Sequence, residues 1–238
     1  MDSRNICCII PFPEGSMFIK YTSDGFSKFR NVKTVGVKYA KEMPETVADL
    51  AYSVPGIIER AKEAEKEGYE GIIIGCFGDT GYSEAKEVVN IPIVGPGLSS
   101  IVLAHMIGYR FSIMTAAEMF VIPTEKLIRQ YGLSTNLSSI RYAESLGTRK
   151  EPQKVINDTI DKIIECIEKD RADVVILGCM EMIGMADDIR KVITRSYNIH
   201  IINPAEAAYY MINTLIGMKQ NSLKSMPGGG SYRKGGEK

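Results

Sequence analysis

Two stretches, Gly71-Ile-Ile-Ile-Gly-Cys76 and Asp173-Val-Val-Ile-Leu-Gly-Cys179, decide how this chain is read. Each is a short β-branched run ending in Gly-Cys. Each reads as a strand. A helical segment follows each run, residues 83–89 after the first and 182–195 after the second. Another short strand comes next, Ile91-Pro-Ile-Val94 in one case and Ile199-His-Ile-Ile202 in the other. The repeated order predicts a weak internal duplication, with its junction at the Gly95-Pro96-Gly97 cluster ahead of a helical run over 99–107.

Outward from these runs, strand-length apolar segments alternate with longer amphipathic ones, the pattern of parallel sheets with crossover helices. Strands are expected at 5–10, 33–39, 71–75 and 91–94, then at 110–114, 138–140, 173–178 and 199–202. Residues 44–68 carry Val47, Leu50, Val54, Ile57, Ile58, Ala61 and Ala64 at helical spacing, with Pro55 as a kink or break. Residues 118–131 and 152–170 read as further helices. The fold class is α/β, with two pseudo-symmetric lobes, each a short, mainly parallel sheet flanked by helices. The expected division is 1–96 for the first lobe and 97–203 for the second. The tail from 220 to 238 is basic and Gly-rich, and is expected to form an extended or mobile arm.

The chain of 238 residues holds 29 basic and 29 acidic side chains, so it has no net field to draw nucleic acid or an anionic membrane. No apolar run approaches the roughly 20 residues of a membrane span. The N-terminal residues lack the apolar core of a secretory signal, and the five cysteines show no short-spaced framework. A cytoplasmic protein acting on a small molecule is expected, with neither nucleic acid nor membrane as partner, and as a homo-oligomer.

In open parallel sheets the ligand crevice lies beyond the carboxyl ends of the strands, where both Gly-Cys pairs fall. A helix starting next to each would place N–H donors and partial positive charge beside the thiol. Cys7 and Cys8 lie inside the first apolar strand and Cys166 on an apolar helix stripe, so these three read as core. His105 and His200 have no metal-site spacing and read as structural. The loop 75–81 is Gly-rich but lacks both dinucleotide and phosphate-loop wording. Asp79 reads first as N-cap of the helix that follows and second as a group orienting Cys76. No Ser/His/Asp set, metal or cofactor is called for.

Gly75-Cys-Phe-Gly-Asp-Thr-Gly-Tyr82 with Ile91-Pro-Ile-Val-Gly95 resembles the first-cysteine motif of the hydantoin racemase branch of the aspartate/glutamate racemase superfamily, usually worded Gly-Cys-Phe-x-Asp-Pro-Gly. Leu177-Gly-Cys-Met-Glu-Met182 resembles its second motif, and Gly108-Tyr-Arg-Phe-Ser-Ile-Met-Thr115 its second-domain strand. The resemblance covers residues 4 to 218. It implies two lobes with the active site between them, and a C-terminal helix (204–219) returning to the first lobe. It also implies a cofactor-independent racemase or epimerase that inverts a carbon α to a carbonyl in a hydantoin, an allantoin-like ureide or an amino acid.

Carried over by position, Cys76 and Cys179 become the two proton carriers. The substrate contacts become Phe77, Gly78, Met180 and Glu181 through their amides, Thr115 through its hydroxyl, and Pro11 and Phe12 at the end of the first strand. Two thiols flanking one carbon need sulfurs roughly 6–9 Å apart. The sequence departs from the pattern at Pro11-Phe12-Pro13-Glu14, at Ala116 and at Glu181, which leaves the substrate open. A cysteine-dependent maleate isomerase or decarboxylase of the same superfamily, or a non-catalytic ligand binder, are the rival readings.

Overall fold

A computed structural model describes residues 4–42, 44–147 and 152–220, so the Gly-rich tail lies outside the described residues apart from Gln220. The first lobe runs β1 (Ile6–Ile9), α1 (Met17–Phe26), β2 (Val32–Val35), α2 (Val47–Ala51), α3 (Val54–Lys66), β3 (Gly71–Ile74), α4 (Tyr82–Lys86) and β4 (Ile93–Val94). The second runs α5 (Pro96–Ile107), β5 (Phe111–Thr115), α6 (Val121–Gln130), β6 (Leu137–Tyr142), α7 (Pro152–Glu168), β7 (Val174–Leu177), α8 (Ala186–Ile193) and β8 (His200–Ile202), and α9 (Pro204–Gly217) ends the fold.

Each lobe holds one four-stranded parallel sheet, in the orders β2-β1-β3-β4 and β6-β5-β7-β8, so the two are topologically identical. Strand alternation explains why the strands are apolar throughout. Cys7, Ile9, Ile72 and Ile74 face α3 and α4 through Ile57, Ala61 and Ala85. Their neighbours Ile6, Cys8 and Ile73 face the other way, onto Phe26 of α1 and Ala205, Ala208 and Ile212 of α9. The second sheet repeats this. Val175 and Leu177 meet α7 and α8, while Val174 and Ile176 meet Ile101 of α5 and Ile128 of α6. Helix α9 packs on β3 and β4 of the first sheet as well as on α5.

The structure corrects several expected boundaries. The single helix over 44–68 is two, α2 and α3, broken at Tyr52–Ser53, and Pro55 sits in the first turn of α3, where its missing N–H is not needed. The helix after Cys179 begins as a 3₁₀ turn, Met180–Met185, before α8. The helix after Cys76 is only the five residues of α4. Helix α1 is not evident from sequence, because Lys20, Thr22, Ser23, Asp24 and Gly25 dilute its apolar stripe; its one clear signal is Ser16, whose side chain accepts from Phe18 N–H at 3.3 Å.

Candidate active site

In each sheet the strand order reverses beside the first strand, β1 or β5, and a crevice opens there at the carboxyl ends. The strands next to those switch points are β3 and β7, and both run directly into Gly-Cys. Gly75 N–H donates to Ile9 O at 2.6 Å and Gly178 N–H to Met114 O at 2.7 Å, continuing the two ladders by one residue. A β-carbon at Gly178 would lie 2.9 Å from Met114 O, and one at Gly75 would lie 2.8 Å from Ile10 Cγ1. The glycine of each motif is therefore the close-approach residue that lets the next residue turn out over the sheet edge.

Both cysteines turn into the same space. A cavity of about 470 Å³ is lined by Gly75, Cys76, Phe77, Gly78 and Thr80 from the first loop and by Gly178, Cys179 and Met180 from the second. Phe18 and Thr22 of α1, Val47, Leu50 and Ala51 of α2, Val54 of α3, and Pro123, Thr124, Leu127 and Gln130 of α6 also line it, with Ile10, Phe12, Pro44, Ala116 and Phe120. The walls are overwhelmingly apolar. Among the described residues Lys126 is the one charged side chain of the lining, and it is exposed at the mouth.

The expected site residues divide accordingly. Phe12, Cys76, Phe77, Gly78, Cys179 and Met180 come together around the cavity. Pro11 is buried and does not line it. Thr115 is fully buried, its hydroxyl donating to Ala117 O at 3.1 Å and Arg141 O at 3.4 Å, and Ala116 faces the cavity in its place. Glu181 belongs to the 3₁₀ turn, and its side chain lies outside the described residues. His105 Nδ1 sits 2.9 Å from Ile101 O and its ring packs on Phe111. Among the described residues no cluster of three or more His, Cys, Asp or Glu could hold a metal ion, and no helix is long and apolar enough to cross a membrane.

Electrostatics separates the thiols. Burial pushes Cys7 up to about 12 and Cys166 up to about 11, and drives Cys8 well above the ordinary thiol range, so all three are inert. Burial also raises Cys76, but three donors oppose it: the Thr80 hydroxyl, 3.6 Å from Sγ, and the backbone N–H groups of Gly78 and Thr80. With α4 only one turn long, these loop donors replace the helix N-terminus expected from sequence.

Asp79 is a cap, but of another helix. Its Oδ1 accepts from Gly97 N–H at 2.9 Å and its Oδ2 from Leu98 N–H at 2.8 Å, capping α5 across the lobe boundary; Tyr131 at the end of α6 donates its hydroxyl to Oδ2 at 2.7 Å. Burial lifts this carboxyl to about 6 against those three donors. Asp79 adopts φ 51°, in the left-handed region that Asp tolerates better than most residues. The sequence could not show this role, since the first N–H that Asp79 meets, that of Gly97, lies 18 residues away.

Two α/β lobes of identical strand order each present a Gly-Cys turn to a shared cavity, the two-lobed architecture of racemases. The Asp/Glu/hydantoin racemase family model matches residues 23–212, and the chain belongs to that family as an isomerase, a racemase. It is 30% identical over 198 residues to the hydantoin racemase of Pseudomonas sp. (strain NS671), covering 82% of this chain and 78% of that one. Its fold superposes on the allantoin racemase of Klebsiella pneumoniae with a TM-score of 0.82 at 21% identity, covering 92% of this chain and 90% of that chain. For the allantoin racemase of Pseudomonas fluorescens the TM-score is 0.81 at 18% identity, covering 92% and 93%.

Proposed function

We propose that the chain racemises hydantoins bearing an apolar 5-substituent by a two-thiol, two-base proton transfer between Cys76 and Cys179, without a cofactor. The observation that carries this reading is the convergence of both Gly-Cys turns on one apolar cavity. A thiolate on one face of the ring removes the C5 proton and becomes a thiol. The electron pair moves onto the adjacent carbonyl oxygen as an enolate. The thiol on the opposite face returns a proton to C5 and becomes the thiolate, so the product is the mirror image and the two sulfurs have exchanged roles. Proton exchange with water restores the starting state.

The walls argue for the substrate. A free amino acid carries a carboxylate and an ammonium, and burying either without a fixed partner is costly. Among the described residues the cavity offers one exposed lysine and the neutral side chains of Thr22, Thr80, Thr124 and Gln130, set among Phe12, Phe18, Leu50, Val54, Phe120 and Leu127, so no fixed, buried charge waits for either ionic group. A hydantoin is neutral, its ring carbonyls delocalise the developing charge, and an aliphatic or aromatic substituent fits such walls. Closing water out of this space strengthens every donor aimed at the enolate.

The test is α-proton exchange in D₂O followed by NMR and chiral separation. Optically pure 5-benzyl- and 5-isobutylhydantoin are expected to exchange and racemise, with allantoin slower and aspartate and glutamate inert. Exchange confined to the free amino acids, or none with any hydantoin, would falsify the substrate assignment.

A further inference from the structure

Thr80 stands where the resembling motif carries proline, which has no hydroxyl and no N–H to give. Here the Thr80 hydroxyl donates to Cys76 Sγ at 3.6 Å and lines the cavity beside it. The backbone N–H groups of Gly78 and Thr80 also favour the ionised sulfur. A thiol that merely packs has little use for three donors, because neutral sulfur is a weak acceptor, whereas hydrogen bonds to an ionised group are about twice as strong.

The other groups around the sulfur make this hydroxyl matter. On its own loop the charged group bearing on Cys76 is the Asp79 carboxylate, which opposes ionisation. Helix α5 presents backbone N–H groups to Asp79, and α6 presents Tyr131, bonded to Asp79, and Lys126 at the mouth. Helix α3 offers Ile57 against Gly81, α2 lines the cavity with Val47, Leu50 and Ala51, and the loop after β7 brings Cys179. With a buried carboxylate as near neighbour, hydrogen bonding is the counterweight the loop itself supplies.

We infer that Thr80 is a positioning residue for racemisation, its hydroxyl directing Cys76 Sγ into the cavity and favouring its ionised form when the proton leaves. The inference rests on the two-thiol reading. It is tested by the pH dependence of iodoacetamide alkylation at Cys76 and Cys179, resolved by peptide mass spectrometry in the full chain. Thr80→Val is expected to raise the Cys76 titration by about one pH unit, the size of one hydrogen bond to a charged group. Thr80→Ser should restore it, and the Cys179 profile should stay put. Racemisation by Thr80→Val should fall about tenfold below that titration and converge on wild type above it. Thr80→Ala gives the same reading should valine disturb the turn. An unmoved Cys76 titration in both hydroxyl-free variants overturns the inference and leaves the two-thiol reading standing. Racemisation at the wild-type rate by Cys76→Ala overturns both.

Discussion

The two Gly-Cys turns occupy equivalent positions in topologically identical sheets, yet each is anchored in the opposite lobe by different means. The first sends Asp79 across the boundary to cap α5 and accept from Tyr131, a polar bolt. The second sends Met180 and Ile183 into the core beneath the first sheet, among Ile10, Phe26, Ala205 and Ala208, an apolar plug. The polar bolt carries a carboxyl lifted to about 6, whereas the two side chains of the plug, Met180 and Ile183, are apolar. Equivalent topology brings both thiols to one cavity, and unlike anchors fix them there. They should therefore respond differently to pH and to loss of volume.

The largest test asks whether the thiols remain equivalent despite their anchors. Cys76→Ala and Cys179→Ala are each expected to lower racemisation by about 10²–10⁴-fold, the usual contribution of a positioned acid or base. The remaining thiol still faces one enantiomer, so each variant should exchange the α-proton of opposite enantiomers while retaining configuration, visible by NMR in D₂O. If one variant inverts substrate at the wild-type rate, the comparison breaks at its root.

Next comes the plug. Ile183 is 4% exposed and touches α1 where a β-carbon on Gly25 would lie 2.4 Å from its Cγ2. Ile183→Ala is expected to cost about 2–5 kcal/mol by leaving a cavity. Gly25→Ala should cost about 1–3 kcal/mol by overfilling the same contact. Denaturant midpoints measure both, and neither loss should vary between pH 5 and 7.

The bolt should show the opposite behaviour. Asp79 is raised from 3.8 to about 6, so the folded chain holds its proton more tightly than the unfolded one. That stabilisation is complete below the lower value and is lost as pH rises through the higher one. Its size is on the order of 3 kcal/mol. Denaturation between pH 4 and 7 should show this slope in the wild-type chain and a flatter one in Asp79→Asn; equal slopes would mean that the carboxyl is already solvated.

The smallest effect is expected at the mouth. Lys126→Ala should leave racemisation of a neutral hydantoin unchanged, because the side chain is exposed and a neutral ring does not need it. A marked rise in KM would point instead to a substrate with a carboxylate. Alongside it, iodoacetamide should modify Cys76 and Cys179 and spare Cys7, Cys8 and Cys166, whose thiols are fully buried.

Local chemistry determined much of this protein. Short β-branched runs that alternate with longer amphipathic segments point to parallel strands, and that made β3 and β7 legible at residues 71–74 and 174–177. A glycine and a cysteine mark the carboxyl end of each, and the core placement of Cys7 and Cys8 follows from an apolar strand run, that of Cys166 from a helical stripe. What the tertiary structure decided is everything that acts through space. The break ahead of Pro55, the apolar walls from α1, α2 and α6, the burial of Thr115 behind Ala116, and the partners of Asp79 and Thr80 leave no periodic trace in the sequence. Hydrophobic alternation records whether a residue faces inward; it carries no record of which distant backbone N–H a carboxylate will meet once two lobes close on each other.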